Sequence, residues 1–185
     1  MSFFSCLALS TNPGWLAAGT HKRTSENIFG DESVVGVWEG NLMTIHVAYL
    51  QLLMIFRKVY VLVEQPNDSR QPEHPAQNFV WELSETRPML TWLGAFGNII
   101  PKPTHLWTTM PRKVAKKHLK RSKPPAGTLQ QSTRKSSSGS VTGNKNLEDS
   151  EHYTPAFAAA IAACFAEVSE RDASRSLRAQ GLSSV

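Results

Sequence analysis

The sequence predicts an α/β layered fold, and three observations lead there. An apolar run over residues 41–56 is followed, after only Arg57-Lys58, by the β-branched stretch Val59-Tyr60-Val61-Leu62-Val63. A helix passed directly to a strand is the local signature of a layered α/β architecture. Strand-like segments at 89–96 and 104–109 are joined through Gly97-Asn98 and Pro101-Lys102-Pro103, as in a β-hairpin with a long loop. Near the end, Phe157, Ile161, Ala162, Phe165 and Val168 recur at helical spacing.

Taken in order, residues 2–10 are apolar and stop at Thr11-Asn12-Pro13-Gly14, which reads as a short buried strand running into a turn. Residues 19–36 are polar and punctuated by glycine, with His21, Lys22 and Arg23 clustered, and read as an exposed loop. Within 41–56 only Asn41, Thr44, His46 and Gln51 are polar. As a helix this run spans about 24 Å, short of the roughly 30 Å hydrocarbon core, so a helix buried on two sides is expected rather than a membrane span. The unbroken β-branched run after it predicts a strand covered on both faces, as in a parallel sheet. Glu64-Gln65-Pro66-Asn67-Asp68 should end that strand, placing Glu64 at the carboxyl end where open α/β sheets bind ligands. A Pro-rich loop and a short helix at 79–83 follow. Thr154 is placed to N-cap the last helix, with Pro155 at its first position.

Charge is distributed very unevenly. Residues 112–146 hold ten Lys or Arg and no acid, a local charge of +10 in a chain whose formal net charge is +5. The rest is therefore net negative, and the high pI belongs to one stretch. From about 120 to 151 the composition is Ser, Gly, Lys and Thr with almost no apolar residue, which predicts a disordered basic linker. It separates an α/β domain at 1–119 from a helical segment at 153–185. Arg112, Lys113, Lys116, Lys117, Lys120 and Arg121 recur at helical offsets and are candidates for phosphate contact, together with Lys102. A solvated tail or a nuclear-import address is the other reading of the same bases. No aromatic residue interleaves with them in sequence, which does not favour single-strand stacking.

Several chemistries find no signature. Cys6 and Cys164 form no disulfide framework and fit a reducing, intracellular (nuclear or cytoplasmic) setting. No basic region precedes the apolar N-terminal residues, so a signal peptide is not expected. The six histidines are scattered and none has metal-ligand spacing, so no metal is expected. Gly-x-Ser-x-Gly, Walker and Gly-x-Gly-x-x-Gly patterns do not occur. Asn12-Pro13-Gly14-Trp15 shares three parts with the Asn-Pro-Pro-aromatic loop of amino-group methyltransferases, but Gly14 breaks the pattern and a plain turn is the simpler reading.

Two segments carry a family resemblance. Glu64-Gln65-Pro66, and the later Trp92-Leu93-Gly94-Ala95-Phe96-Gly97 with Lys102-Pro103-Thr104-His105-Leu106-Trp107-Thr108, resemble a divergent group of phage and protist proteins related to DNA cytosine-5 methyltransferases. Arg23-Thr24, Asn27, Gly30 and Gly40-Asn41 are similar to the upstream loop and helix start of that group, and Tyr153-Thr154-Pro155-Ala156-Phe157 to its last helix. The resemblance implies a class I, Rossmann-like sheet, S-adenosylmethionine as cofactor, and DNA as substrate. In the family a Cys attacks C6 of cytosine while a Glu bonds N3 and steadies the developing charge. Glu64 matches that Glu and Gln65 stands for the supporting Asn. The family's Pro-Cys is missing: Cys6, preceded by Ser5, is the only candidate nucleophile. A Cys among Phe and Leu also reads as a small core residue. The Gly-rich cofactor loop has no counterpart either. The resemblance therefore implies a partial sheet and an incomplete or degenerate methyltransferase-like domain that retains nucleic-acid association. The alternative is a non-enzymatic interaction protein with a basic linker; its protein partners are not legible.

Overall fold

The computed structural model describes residues 23–67, 69–125, 133–135, 141–143 and 153–180. Helix and strand mix, with a small three-stranded antiparallel sheet. The chain divides into two compact units: one runs to Leu90 and takes in Thr104–Thr109, and the other comprises Thr91–Pro103 and the chain from Met110 onward.

The first unit contains helices α1 (Val35–Phe56) and α2 (Pro75–Leu83) and strand β1 (Leu62–Pro66), with a 3-10 turn at Gln71–Glu73. β1 pairs antiparallel with β3 (Pro103–Thr108), in the register Val63↔Trp107, Glu64↔Leu106 and Pro66↔Thr104. β2 (Met89–Trp92) lies on the other side of β3, giving the order β1-β3-β2, so the expected hairpin segments are neighbours. Because side chains alternate across a strand, Val61, Val63 and Trp107 share one face. Ala48 of α1 and Val80 and Trp81 of α2 cover it, with Trp81 and Trp107 stacked at 5.0 Å. Burying a Val or Leu side chain contributes about 1.5–3 kcal/mol, so this cluster anchors the unit.

Two expectations need correction here. The β-branched run is buried on both faces, as predicted, yet its partner strand is antiparallel rather than parallel. An uninterrupted apolar run reports that both faces are covered and says nothing of strand direction. The strand also runs on through Glu64 and Gln65, so Glu64 sits in its middle. Pro66 closes β1, an edge strand of the sheet, where a missing N–H is tolerated.

α1 begins six residues before the expected helix and is apolar nearly throughout, but its buried positions include Gly40, Asn41, Thr44 and Gln51. Thr44 donates to the Gly40 carbonyl at 2.9 Å. Gln51 and Gln77 of α2 exchange two amide hydrogen bonds of 3.0 and 3.1 Å, both side chains fully buried. Trp38, Ile45, Tyr49 and Phe56 remain exposed, so the helix is covered on one side only. Among the described residues no helix is long and apolar enough to cross a membrane.

The second unit holds α3 (Arg112–Leu119) and α4 (Pro155–Ala179), which pack together, and a 3-10 turn at Leu93–Phe96. Gly97 follows at φ +85°, the left-handed conformation glycine adopts without cost, and closes the turn. Thr154 caps α4 as anticipated: its hydroxyl accepts from the Phe157 N–H (3.2 Å) and donates to the Phe96 carbonyl (2.6 Å). Phe157, Cys164 and Val168 form the buried stripe; Ala162, expected in it, faces solvent. The span expected as linker contains a two-stranded antiparallel ladder, β4 (Thr133–Lys135) with β5 (Val141–Gly143). The expected strand at 2–10, Cys6 and the Asn12–Trp15 turn lie outside the described residues.

Candidate functional site

Glu64 is 7% exposed and shares its sheet face with Leu62, Thr104 and Leu106. The Thr104 hydroxyl donates to Glu64 Oε1 at 3.3 Å. The two segments that suggested a family are therefore register partners, 40 residues apart in sequence: Gln65 opposes His105 and Pro66 opposes Thr104. Gln65 is also buried, and its Oε1 accepts from Ser69 Oγ at 2.8 Å. Ser69 Oγ in turn receives the Gln71 N–H, which shapes the turn leaving β1. Burial depresses the basicity of His105.

The upstream residues of the resemblance also meet. Arg23, 2% exposed, donates to Asn41 Oδ1 (2.9 Å) and to the Val37 carbonyl (3.1 Å). Asn41 Nδ2 donates to the Phe29 carbonyl (3.0 Å) and to Glu32 Oε1 (2.8 Å). Asn27 reaches the carbonyl of Gly30, which sits at φ +72°. Arg23 opens the described chain, where the sequence suggested an exposed loop; instead its guanidinium clasps that loop to α1. Burial lowers the Arg23 pKa, with Glu32 opposing. His74 packs edge-on to Phe29 and accepts the Ala76 N–H at Nδ1, capping α2. Burial, and then the Arg23 charge, lower the His74 pKa and favour a neutral ring with its proton on Nε2.

In the second unit the basic residues separate into two groups. On α3, Val114, Ala115 and Leu119 are buried while Arg112, Lys113, Lys116 and Lys117 are exposed, as is Lys120 just beyond it. Lys113, Lys116, Lys117 and Lys120 stand at i, i+3, i+4 and i+7, one side of the helix. Glu167 of α4 binds Lys117 Nζ and His118 Nε2, each at 2.7 Å, and Arg171 at 2.6 Å. Hydrogen bonds from Lys117 and His118 hold the Glu167 pKa down at about 2. Burial, with the Glu167 charge, pushes the nearby Cys164 thiol up to about 11, so it is not an activated nucleophile; it lies 3.5 Å from Met110 sulfur.

Lys102, Arg121 and Lys123 rest on aromatic rings. The Arg121 guanidinium lies 4.9 Å from the Phe96 centroid, Lys123 Nζ 5.4 Å from Trp92, and Lys102 Nζ 5.7 Å from Tyr153. Phe96, Phe157 and Tyr153 are in ring contact in series. The Arg121 N–H also binds Thr91 Oγ1, whose hydroxyl donates to the Leu119 carbonyl. Lys102 holds φ +36°, a strained conformation for a non-glycine residue, while its carbonyl receives the Leu93 N–H. Sequence reading missed these aromatic partners because each lies tens of residues from its cation.

Among the described residues no group of three His, Cys, Asp or Glu side chains is placed to hold a metal. Among the described residues the register-paired strands run antiparallel. No protein-family model matches the chain, and no curated protein or solved structure does so either.

Proposed function

We propose that this chain is a methyltransferase-like α/β domain, incomplete as an enzyme, that associates with nucleic acid through the basic side of α3. The observation that carries this is the sorting of α3: apolar residues inward, and Lys113, Lys116 and Lys120 outward with Arg112 and Lys117. Phosphate neutralisation by such a row needs no sequence readout and releases counterions. With about four phosphates engaged, log affinity should fall against log salt with a slope of about −3 on single strands and nearer −4 on duplex.

Fluorescence anisotropy with labelled single-stranded and duplex DNA and RNA tests the reading. The expected result is binding at low salt whose slope drops by about 2 in the Lys113→Ala, Lys116→Ala double variant. Absence of binding at low salt overturns it. The exposed Tyr153 and the part-exposed Trp92 give single strands a reason to bind as well as duplexes.

The methyltransferase relation is supported by the register pairing of Glu64-Gln65-Pro66 with the Thr104–Thr108 part of the second motif. In this reading Glu64 keeps the position of the family's acid, while Cys6 would have to supply the nucleophile and S-adenosylmethionine the methyl group. Calorimetric titration with S-adenosylmethionine and S-adenosylhomocysteine is the direct test. Heat of binding, followed by methyl transfer that Glu64→Gln and Cys6→Ala abolish, supports an active enzyme. No heat from a folded sample removes that part and leaves nucleic-acid association standing.

A further inference from the structure

α1 turns its large apolar side chains outward. Val35, Trp38, Leu42, Ile45, Tyr49, Leu53 and Phe56 are between 37% and 74% exposed. Scattered exposed apolar residues need no explanation, but a continuous band along a 22-residue helix marks an interaction surface. The intervals between these residues are three or four throughout, which is the spacing that seats one helix against another. α1 carries one acid, Glu39, one histidine, His46, and no Lys or Arg. The helix lacks the Lys- and Arg-rich polar side that holds an amphipathic helix at a membrane surface.

The spacing also identifies the partner. Inverted about the helix midpoint, Val35 falls on Phe56, Trp38 on Leu53, and Leu42 on Tyr49, with Ile45 beside the centre. The band is thus nearly complementary to itself when reversed, as an isologous two-fold interface requires. At roughly 100 Å² for each side chain it would bury about 700 Å² per copy, close to the ~800 Å² per partner of stable interfaces. Charge fixes the direction. Among residues 23–34 Glu26, Asp31 and Glu32 outnumber the buried Arg23, and Arg57 and Lys58 follow the helix, so antiparallel pairing sets the net acidic end against the basic end, while parallel pairing sets like against like.

We propose that the exposed face of α1 pairs with the same face of a second copy of this chain, antiparallel about a two-fold axis beside Ile45. The pairing is independent of nucleic-acid binding by α3. Sedimentation velocity on the full chain, from low to high micromolar concentration, should show a dimer. Leu42→Glu with Tyr49→Glu should yield a monomer with unchanged circular dichroism and unfolding midpoint, since both side chains are exposed. Direction is read by cross-linking in a Cys6→Ser background. Trp38→Cys mixed with Leu53→Cys should give the hetero-linked dimer, and neither alone should link efficiently. A monomer at every concentration overturns the proposal, whether another segment, a different protein or a lipid surface then covers the face. So does a dimer that survives the double glutamate variant, or one in which Trp38→Cys links to itself.

Discussion

The two long helices, α1 and α4, are organised in opposite ways. α4 buries Phe157, Cys164 and Val168 and presents its charged residues to solvent or to α3. α1 buries Asn41, Thr44 and Gln51 and leaves its largest apolar side chains outside. α4 starts at a threonine cap followed by proline, whereas α1 starts at Val34 without a side-chain cap. One helix is held by apolar packing at its inner face. The other adds directional bonds, Arg23 to Asn41 and Gln51 to Gln77, to the apolar packing of Val37, Val47 and Ala48. Hydrogen bonds contribute little net when made, but leave a large penalty when a buried partner is removed. The two helices should therefore fail in different ways.

The largest loss is expected from Phe157→Ala, which removes a ring 2% exposed and in contact with Phe96 and Tyr153. Denaturant unfolding should show about 3–5 kcal/mol of destabilisation. Gln51→Ala should cost about 2–3 kcal/mol, mostly through the stranded Gln77 amide. The contrast sharpens with Gln51→Leu combined with Gln77→Leu, which should recover most of that loss. If the double variant is as damaged as the single ones together, specific amide bonding is not what holds α1. Thr154→Ala should cost about 1 kcal/mol by uncapping α4.

The smallest effect depends on pH. A carboxylate held near 2 against an ordinary value of 4.5 stabilises the fold above about pH 4.5, and loses that contribution as the pH falls toward 2. Glu167→Gln should be less stable than the parent at neutral pH, and the difference should close between pH 4.5 and 2. Thermal melts across that range check it, and a difference that stays constant would show that Glu167 acts by packing alone.

What could be foreseen follows from the same contrast. The cap at Thr154-Pro155 and the outward lysines of α3 were legible because each is a local pattern. The inner side of α1 was not, because a helix apolar on all sides has no favoured direction until Gln77 and Arg23 supply partners. The hairpin neighbours were legible from their turn residues, but the antiparallel pairing of β1 was not, since burial on both faces is common to both pairings. Glu64 was foreseen on the right strand and misplaced within it, because Pro66 ends the strand and Gln65 does not. Arg121 on Phe96 and Lys123 on Trp92 depend on contacts across 25 and 31 residues, beyond any local pattern.

Both helices that cover β1 end with the same stop. After α1, the Val59 N–H reaches the Met54 carbonyl and the Lys58 N–H that of Ile55; after α2, Thr86 reaches Trp81 and Glu85 reaches Glu82. These are the paired bonds of a Schellman turn, and they force the residue past the cap into the left-handed region. That residue is Lys58 at φ 57° and Glu85 at φ 51°, where glycine would carry no strain. The fold thus holds two charged side chains at a conformational cost of about 1 kcal/mol each. Lys58→Gly and Glu85→Gly offer a laboratory a sturdier form of the chain for crystallisation, and the difference in melting temperature would show how much tolerance was left unused at two turns.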